Sequence, residues 1–347
     1  MATVVQVGLV GFGLSGRYFH APFLSVNPRF RIKKIASSRP EAVRKFDASI
    51  EWVATADELF ADPAIDLVFI CSPNETHADY ARKALLQGKN VVVEKPFALT
   101  EPEAIDLLAL AGQQNCLVTA YQNRRWDSDF LTIKRLLAAG TLGDIIEYEG
   151  RYDRYSPVAL QTIRWKEEPG PGRGSLFTLG PHIIDQALQL FGTPETVQAS
   201  IRSIRPGSRV TDFFDIRLGY ADKAVRLKSS LMAYQNQQRY CLHGTTGTFL
   251  KGGLDVQEER LRINQLPGQP NWGAEPADRW GTLYYDGRAE TIESERGNYS
   301  LFYNNLYDVI VTGAEPAITP IHIQQLARVI DLAQASHQTQ RVMPFAV

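Results

Sequence analysis

Gly11-Phe12-Gly13-Leu14-Ser15-Gly16 sets three glycines at the spacing with which a backbone closes around a phosphate. The segment follows an apolar run, residues 4–10, and opens a stretch of helical character. In that setting the first glycine permits a tight turn and the second leaves room for a pyrophosphate. The third lets a helix pack closely on the strand, so that amide groups at the helix start face the phosphates. Cofactor contacts are therefore expected along Gly11, Phe12, Gly13, Leu14, Ser15 and Gly16. A carboxylate at the end of the second strand would bind the ribose hydroxyls of NAD. The sequence there reads Ser37-Ser38-Arg39. A guanidinium flanked by hydroxyls suits a 2′-phosphate, which a carboxylate would repel. NADP(H) is thus expected in preference to NAD(H), with NAD(H) left open because a residue from another loop can bind the ribose.

These residues need a scaffold. Residues 4–10, 31–36, 65–71, 90–93 and 116–120 read as short apolar strands of a buried parallel sheet. Helices are expected over 77–87, stopped by Gly88, and over 101–114, capped by Thr100. Alternating strands and helices imply an α/β fold with a doubly wound parallel sheet, a Rossmann domain, over residues 1–123. The rhythm changes after a helix over 129–139 that ends at Gly140. Longer, partly alternating runs follow at 145–155, 196–205, 213–220, 223–232, 239–243 and 282–285. Helical stretches lie at 183–191, 299–312 and 321–335. Residues 124–347 are accordingly expected to form an α+β domain with a large, mostly antiparallel open sheet, one face covered by helices. Residues 170–174 read as a flexible joint and 265–278 as a surface loop.

Hydrophobic residues make up 44% of the 347 and charged residues 22%, a balance that belongs to folded domains. The net charge of −1, with no long run of one sign, speaks against nucleic-acid and membrane partners. Cys71, Cys116 and Cys241 are widely separated and form no CxxC, so neither a disulfide framework nor a zinc site is expected. With no apolar stretch of membrane-span length and no signal-like start, a reducing, cytoplasmic address is expected.

Glu94-Lys95-Pro96 follows the strand at 90–93. Together with the glycine fingerprint it resembles the Gfo/Idh/MocA oxidoreductase family, which includes glucose-fructose oxidoreductase and the inositol dehydrogenases. Further matching pieces run along nearly the whole chain. They are Phe19-His20-Ala21-Pro22, Ser72-Pro73-Asn74-Glu75-Thr76-His77, Gln122-Asn123-Arg124-Arg125-Trp126 and Leu179-Gly180-Pro181-His182-Ile183-Ile184-Asp185. Asn123-Arg124-Arg125-Trp126-Asp127 and Asp153-Arg154-Tyr155 with Pro157 are similar to the subgroup that contains NADP-dependent scyllo-inositol dehydrogenases.

The resemblance implies hydride transfer between a nicotinamide and a CH–OH or ketone carbon of a sugar, inositol or related polyol. It places the EKP lysine, Lys95, in the catalytic pocket, with a cis bond before Pro96. It also implies a homodimer or homotetramer that uses the open sheet. A cation just past a strand end suits the substrate oxygen, and an imidazole, His182, suits proton exchange. Further cofactor contacts are expected from Ser72, Pro73, Asn74, His77, Glu94, Lys95 and Gln122, with Arg164-Trp165-Lys166 as a stacking cap or an exposed loop. His20 and His77 each read equally as a cleft residue or a structural one. Asn123, Tyr152 and Asp153 are candidate substrate contacts, and Glu94 is expected to pair with Lys95 or to hold the nicotinamide side. If residues 175–191 form one helix kinked at Pro181, Thr178, His182 and Asp185 share a face. Asp185 then either holds the imidazole or makes an ordinary helix contact.

One departure stands out. The family pairs its histidine with an aspartate four residues earlier, and this chain has Thr178 there. A hydroxyl does not titrate near neutrality. Two alternatives to a dehydrogenase therefore stay open: a cofactor-binding sensor or scaffold, and a lyase or glycosidase that uses transient oxidation.

Overall fold

The apolar runs Val5–Val10 (β1), Phe30–Ala36 (β2), Leu67–Ile70 (β4), Asn90–Val93 (β5) and Val118–Ala120 (β6) pair in parallel, with the short Glu51–Val53 (β3) at one edge. The structure, a computed structural model, describes residues 3–158, 167–235 and 238–346. Strand order is β3-β2-β1-β4-β5-β6. This is the doubly wound order, and it reverses between β1 and β4, where such sheets bind ligands beyond the strand ends. Leu67, Val68, Phe69, Ile70 and Val91 to Val93 are all fully buried, as strands covered on both faces must be. β3 escaped the sequence reading because three residues carry too little periodicity.

The flanking helices start and stop where their caps direct. The Thr100 side chain accepts from the Glu103 amide at 3.3 Å and opens Glu101–Gln113. Gly88 (φ +68°) follows His77–Leu86 and Gly140 (φ +66°) follows Ser128–Ala138. Left-handed residues of this kind end helices.

The chain forms two compact units. The first comprises residues 1–123 together with 257–272 and 298–324, and the second comprises the remainder. Aromatic packing explains the return of the later segments. Tyr303, on the helix Ser300–Thr312, stacks on Phe23 at 5.1 Å, and Phe302 meets Tyr121 at 5.0 Å. The Tyr307 hydroxyl donates to the Thr3 carbonyl at 2.8 Å, and the Thr119 hydroxyl donates to the Ile318 carbonyl at 3.1 Å.

The second unit holds a nine-stranded sheet. Its strands are Ile145–Arg151 (β7), Thr196–Arg202 (β8), Phe213–Gly219 (β9), Ala224–Ser230 (β10), Tyr240–Gly244 (β11), Thr248–Lys251 (β12), Gly281–Tyr285 (β13), Arg288–Ile292 (β14) and Met343–Pro344 (β15). The order is β14-β13-β12-β11-β7-β10-β9-β8-β15, antiparallel except for the β7–β10 pair. Along β10, Val225, Leu227 and Ser229 are buried while Arg226 and Lys228 turn outward, the alternation of a sheet with one covered face. The helix Gly180–Phe191 covers that face, and the Tyr240 hydroxyl donates to the Gln186 side chain at 2.7 Å. β12, β14 and β15 were not expected from sequence: two are short, and β14 is largely exposed.

Candidate functional site

In the first unit the candidate residues gather at the carboxyl ends of β1, β2, β4, β5 and β6. Gly11 has φ +97°, and a Cβ there would lie 2.7 Å from the Cys71 carbonyl oxygen. A Cβ on Gly16 would collide with the Gly11 carbonyl oxygen, whereas one on Gly13 would meet nothing within 4 Å. Two glycines are thus demanded by the turn itself, and the third leaves open space where a pyrophosphate would approach. The Phe12 side chain is core, edge-on to Phe46 at 5.6 Å, so its backbone alone belongs to the turn. Leu14 is exposed at the tip. The Ser15 hydroxyl donates to the Glu94 carboxylate, so that hydroxyl proton is directed away from any phosphate.

At the end of β2 the Ser37 hydroxyl accepts from the Arg39 amide at 3.1 Å, and Ser38 and Arg39 are exposed. In the loop after β4, the Thr76 hydroxyl donates to the Ser72 hydroxyl at 2.6 Å, Pro73 is exposed, and Asn74 begins a short turn, Asn74–Thr76. His77 is placed as the structural of its two readings has it. Both ring nitrogens lie on backbone carbonyls, Pro96 at 2.8 Å and Ser72 at 3.0 Å, so neither is turned to a ligand. Burial lowers this imidazole, although both carbonyls favour its charged form. His77 therefore ties the Ser72 loop to the Lys95–Pro96 turn.

The Lys95–Pro96 bond is cis, as the resemblance implies, and Lys95 is half-buried. Glu94 differs from expectation. Its carboxylate accepts from His20 Nε2 at 3.1 Å, from the Ser15 hydroxyl and from the Lys95 amide at 3.1 Å. It holds the turn rather than pairing with the Lys95 ammonium by a hydrogen bond. Burial alone would raise this carboxyl. The hydrogen bond and charge of His20, the Lys95 charge and Ser15 together keep it below the ordinary glutamate range. His20 Nδ1 lies 3.0 Å from the Tyr303 hydroxyl, so His20 is a structural bridge.

Gln122 is 2% exposed, and neither polar atom of its side chain has a hydrogen-bond partner among the described residues. Such an amide costs about 1–3 kcal/mol unless something else satisfies it. Val93 and Ala120, the last residues of β5 and β6, are register partners, so Lys95 and Gln122 each follow two residues past the ends of adjacent strands. Open space at Gly13 and an orphaned amide at Gln122 both fit a bound dinucleotide, its phosphates at the first and its carboxamide end at the second.

In the second unit, Leu179 separates Ser175–Thr178 from Gly180–Phe191, so the single helix kinked at Pro181 is not formed. Pro181 instead lies in the first turn of the second helix, where its missing N–H costs nothing. The Thr178 hydroxyl donates to the Gly174 carbonyl at 2.9 Å. Asp185 does not hold His182: its two oxygens accept from Arg125 at 2.7 and 2.8 Å. His182 is buried, and its ring lies 6.0 Å from that of Tyr152. Asp153 accepts from Arg151 at 3.0 Å and from the Ser230 amide at 2.8 Å, which ties its carboxylate to the sheet. Asn123 is buried at the covalent junction, and Trp165 lies outside the described residues.

Sequence reasoning missed the ion network around Tyr152. Arg239 stacks over its ring at 4.6 Å and Arg124 at 5.6 Å. Arg239 also donates to Asp129 at 2.8 Å, and Arg124 to Asp127 at 3.3 Å. Burial pushes the Asp127 carboxyl up; Arg124 opposes this, while Asp255 and Asp129 add to it. No local motif announces the network, because Arg239 and Asp129 are 110 positions apart.

Residues 5–122 match the family model "Oxidoreductase family, NAD-binding Rossmann fold", and residues 134–345 match "Oxidoreductase family, C-terminal alpha/beta domain". The chain belongs to the Gfo/Idh/MocA family of oxidoreductases. It is 37% identical to the scyllo-inositol 2-dehydrogenase (NADP(+)) IolW of Bacillus subtilis, over 98% of this chain and 95% of that protein. It is 38% identical to the oxidoreductase YdgJ of Escherichia coli, covering 96% of each. Among solved structures it is similar to the putative oxidoreductase yvaA of Bacillus subtilis, with a TM-score of 0.96, 36% identity and 99% of both chains covered. The putative oxidoreductase YPO2259 of Yersinia pestis gives a TM-score of 0.93 at 38% identity, with 100% of this chain and 99% of that one covered. The chain is an NAD(P)-dependent dehydrogenase by its relatives, with a Rossmann domain built for a nicotinamide dinucleotide.

Proposed function

We propose that this chain is an NADP-preferring dehydrogenase or reductase acting on a CH–OH or ketone carbon of a sugar, inositol or related polyol. The observation that carries this reading is the matched placement of half-buried Lys95 and the orphaned Gln122 amide at adjacent strand ends. When bound, the nicotinamide accepts or supplies the hydride. Gly11 to Gly16 hold the pyrophosphate through backbone amides, and Ser37, Ser38 and Arg39 take the 2′-phosphate. Ser72, Pro73 and Asn74 border the cofactor. Gln122 orients its carboxamide, and Glu94 and His77 keep the Lys95 turn in place. Lys95 stabilises the substrate oxygen as charge develops, and His182 exchanges the hydroxyl proton. Thr178 passes at most a hydrogen bond. Asn123 and Tyr152 are proposed as substrate contacts. IolW, by its name, oxidises scyllo-inositol with NADP+, which supports a polyol substrate here.

The protein is further proposed to work in the cytoplasm as a homodimer or homotetramer. Three free cysteines accord with a reducing compartment. Among the described residues no helix is long and apolar enough to cross a membrane. The outward face of the second sheet, with Ile146 and Tyr284 exposed, is the proposed interface.

The test is a panel of sugar and inositol alcohols and ketones, read by nicotinamide absorbance at several pH values. Net consumption or formation of NADPH supports the dehydrogenase. Thr178 in place of the family aspartate favours one other reading, a sensor. NADPH binding without turnover across the whole panel would replace the dehydrogenase with it. Product formed without net cofactor change would instead point to a lyase or glycosidase.

A further inference from the structure

On β11, Tyr240 and Leu242 are buried against the core while Cys241 is partly exposed and His243 exposed, so these last two share the outward face of the second sheet. Cys241 Sγ lies 3.2 Å from His243 Nε2, and His243 Nδ1 lies 2.9 Å from the Thr248 hydroxyl on β12. We propose that Cys241 and His243 form a two-donor chelate for a thiophilic divalent cation of the zinc class, apart from the hydride-transfer chemistry.

Three observations carry it. First, His243 Nε2 faces the sulfur, and in the tautomer that donates Nδ1–H to Thr248 its lone pair is free to ligate, with an outer hydrogen bond of the kind that orients a ligating histidine. Second, the span fits. Tetrahedral zinc, at about 2.3 Å from sulfur and about 2.0–2.1 Å from nitrogen, separates the two donors by about 3.5 Å. The present contact needs to widen by only a few tenths of an ångström, which side-chain rotation supplies. Third, the field has the right sign. Glu149 is the register partner of Cys241 and Glu147 that of His243. Two carboxylates beside the pair attract a cation to it.

Glu149 is itself shared with Arg151 at 3.1 Å and Arg226 at 3.8 Å, which leaves the sulfur and the imidazole as the donors. Among the described residues no group of three or more such side chains could hold a metal. Water completes the coordination, or the same pair of a second copy where two copies meet across this face. Binding displaces one proton from the thiol and involves no change of oxidation state.

Cobalt(II) is the probe. The full chain, kept reduced with a non-thiol reductant, is titrated with cobalt chloride and followed by thiolate-to-cobalt charge-transfer absorption. The band is expected to saturate at one ion per chain, or one per two chains if a second copy completes the site. Added zinc should displace it. Cys241→Ser should abolish the band and His243→Gln should weaken binding about tenfold or more. Cys116→Ser should leave both unchanged. Both tested residues point outward, and circular dichroism checks that the variants fold. A wild-type chain with no band, or a Cys241→Ser chain that keeps it, overturns the proposal.

Discussion

Arg39 is the residue on which the proposed preference for NADPH turns. It is exposed just past the end of β2, in a Ser37-Ser38-Arg39 segment that holds no carboxylate. Arg39→Asp is expected to weaken NADPH binding while sparing or improving NADH. Each charge-assisted bond to a phosphate contributes about 1.5–3 kcal/mol, so the ratio of the two affinities should move more than about tenfold. Equal affinity of the wild type for NADH and NADPH would remove the basis for this assignment. In the role proposed for it, Lys95 acts most as the alkoxide forms, so Lys95→Met should lower kcat strongly with cofactor binding nearly intact, a loss of about 3–4 kcal/mol. His182→Ala should cost about 10²–10⁴-fold through lost proton exchange. Full turnover by both variants on a verified substrate would defeat the roles given to them. Much of this scale was legible in the chain, since the glycine turn, Ser37-Ser38-Arg39 and the EKP segment are contiguous. The engagement of Glu94 by His20 was not, because its second support, the Tyr303 hydroxyl, lies 283 positions from His20.

Among the elements, the helix Ser300–Thr312 does more than cover a sheet. Buried Tyr303 faces His20 Nδ1 at 3.0 Å and donates to the Phe19 carbonyl at 2.6 Å. Tyr303→Phe keeps the stack on Phe23 but leaves buried His20 Nδ1 without that partner and the Phe19 carbonyl with only the longer bond from the Tyr121 hydroxyl at 3.4 Å. It should lower stability by about 1–3 kcal/mol, read as an earlier midpoint in denaturant. An unchanged midpoint would mean that the hydroxyl contributes nothing. Glu94, at the end of β5, makes the same cluster sensitive to acid. Its folded carboxyl lies below the unfolded reference of 4.5, so its stabilisation is complete above that value and is lost as pH falls through the lower, folded one. The wild-type thermal midpoint should fall in that acid range, and Glu94→Gln should remove part of the slope. Parallel acid profiles for the two proteins would assign the titration elsewhere. Strands and helices with clear periodicity were readable in advance. β3 and β15 were not, since strands of three and two residues are too short to show a period.

For the whole molecule, light scattering at micromolar concentration should give twice or four times the chain mass; a monomer would exclude the proposed use of the second sheet. The α/β and α+β character of the chain followed from the change in strand rhythm near residue 140. The return of residues 257–272 and 298–324 to the first unit did not, because aromatic contacts between distant segments leave no periodic trace. That return bears on how the protein is made. The dinucleotide turn leaves the ribosome early, yet the unit around it is still missing Trp272, Phe302 and Tyr303 when Asn123 is added. At about 5–20 residues per second, Gln324 follows about 10–40 seconds later. Until Phe302 and Tyr303 are added, Phe23 and Tyr121 lack rings that cover them, so the nascent chain offers chaperones an aromatic surface that the finished protein conceals.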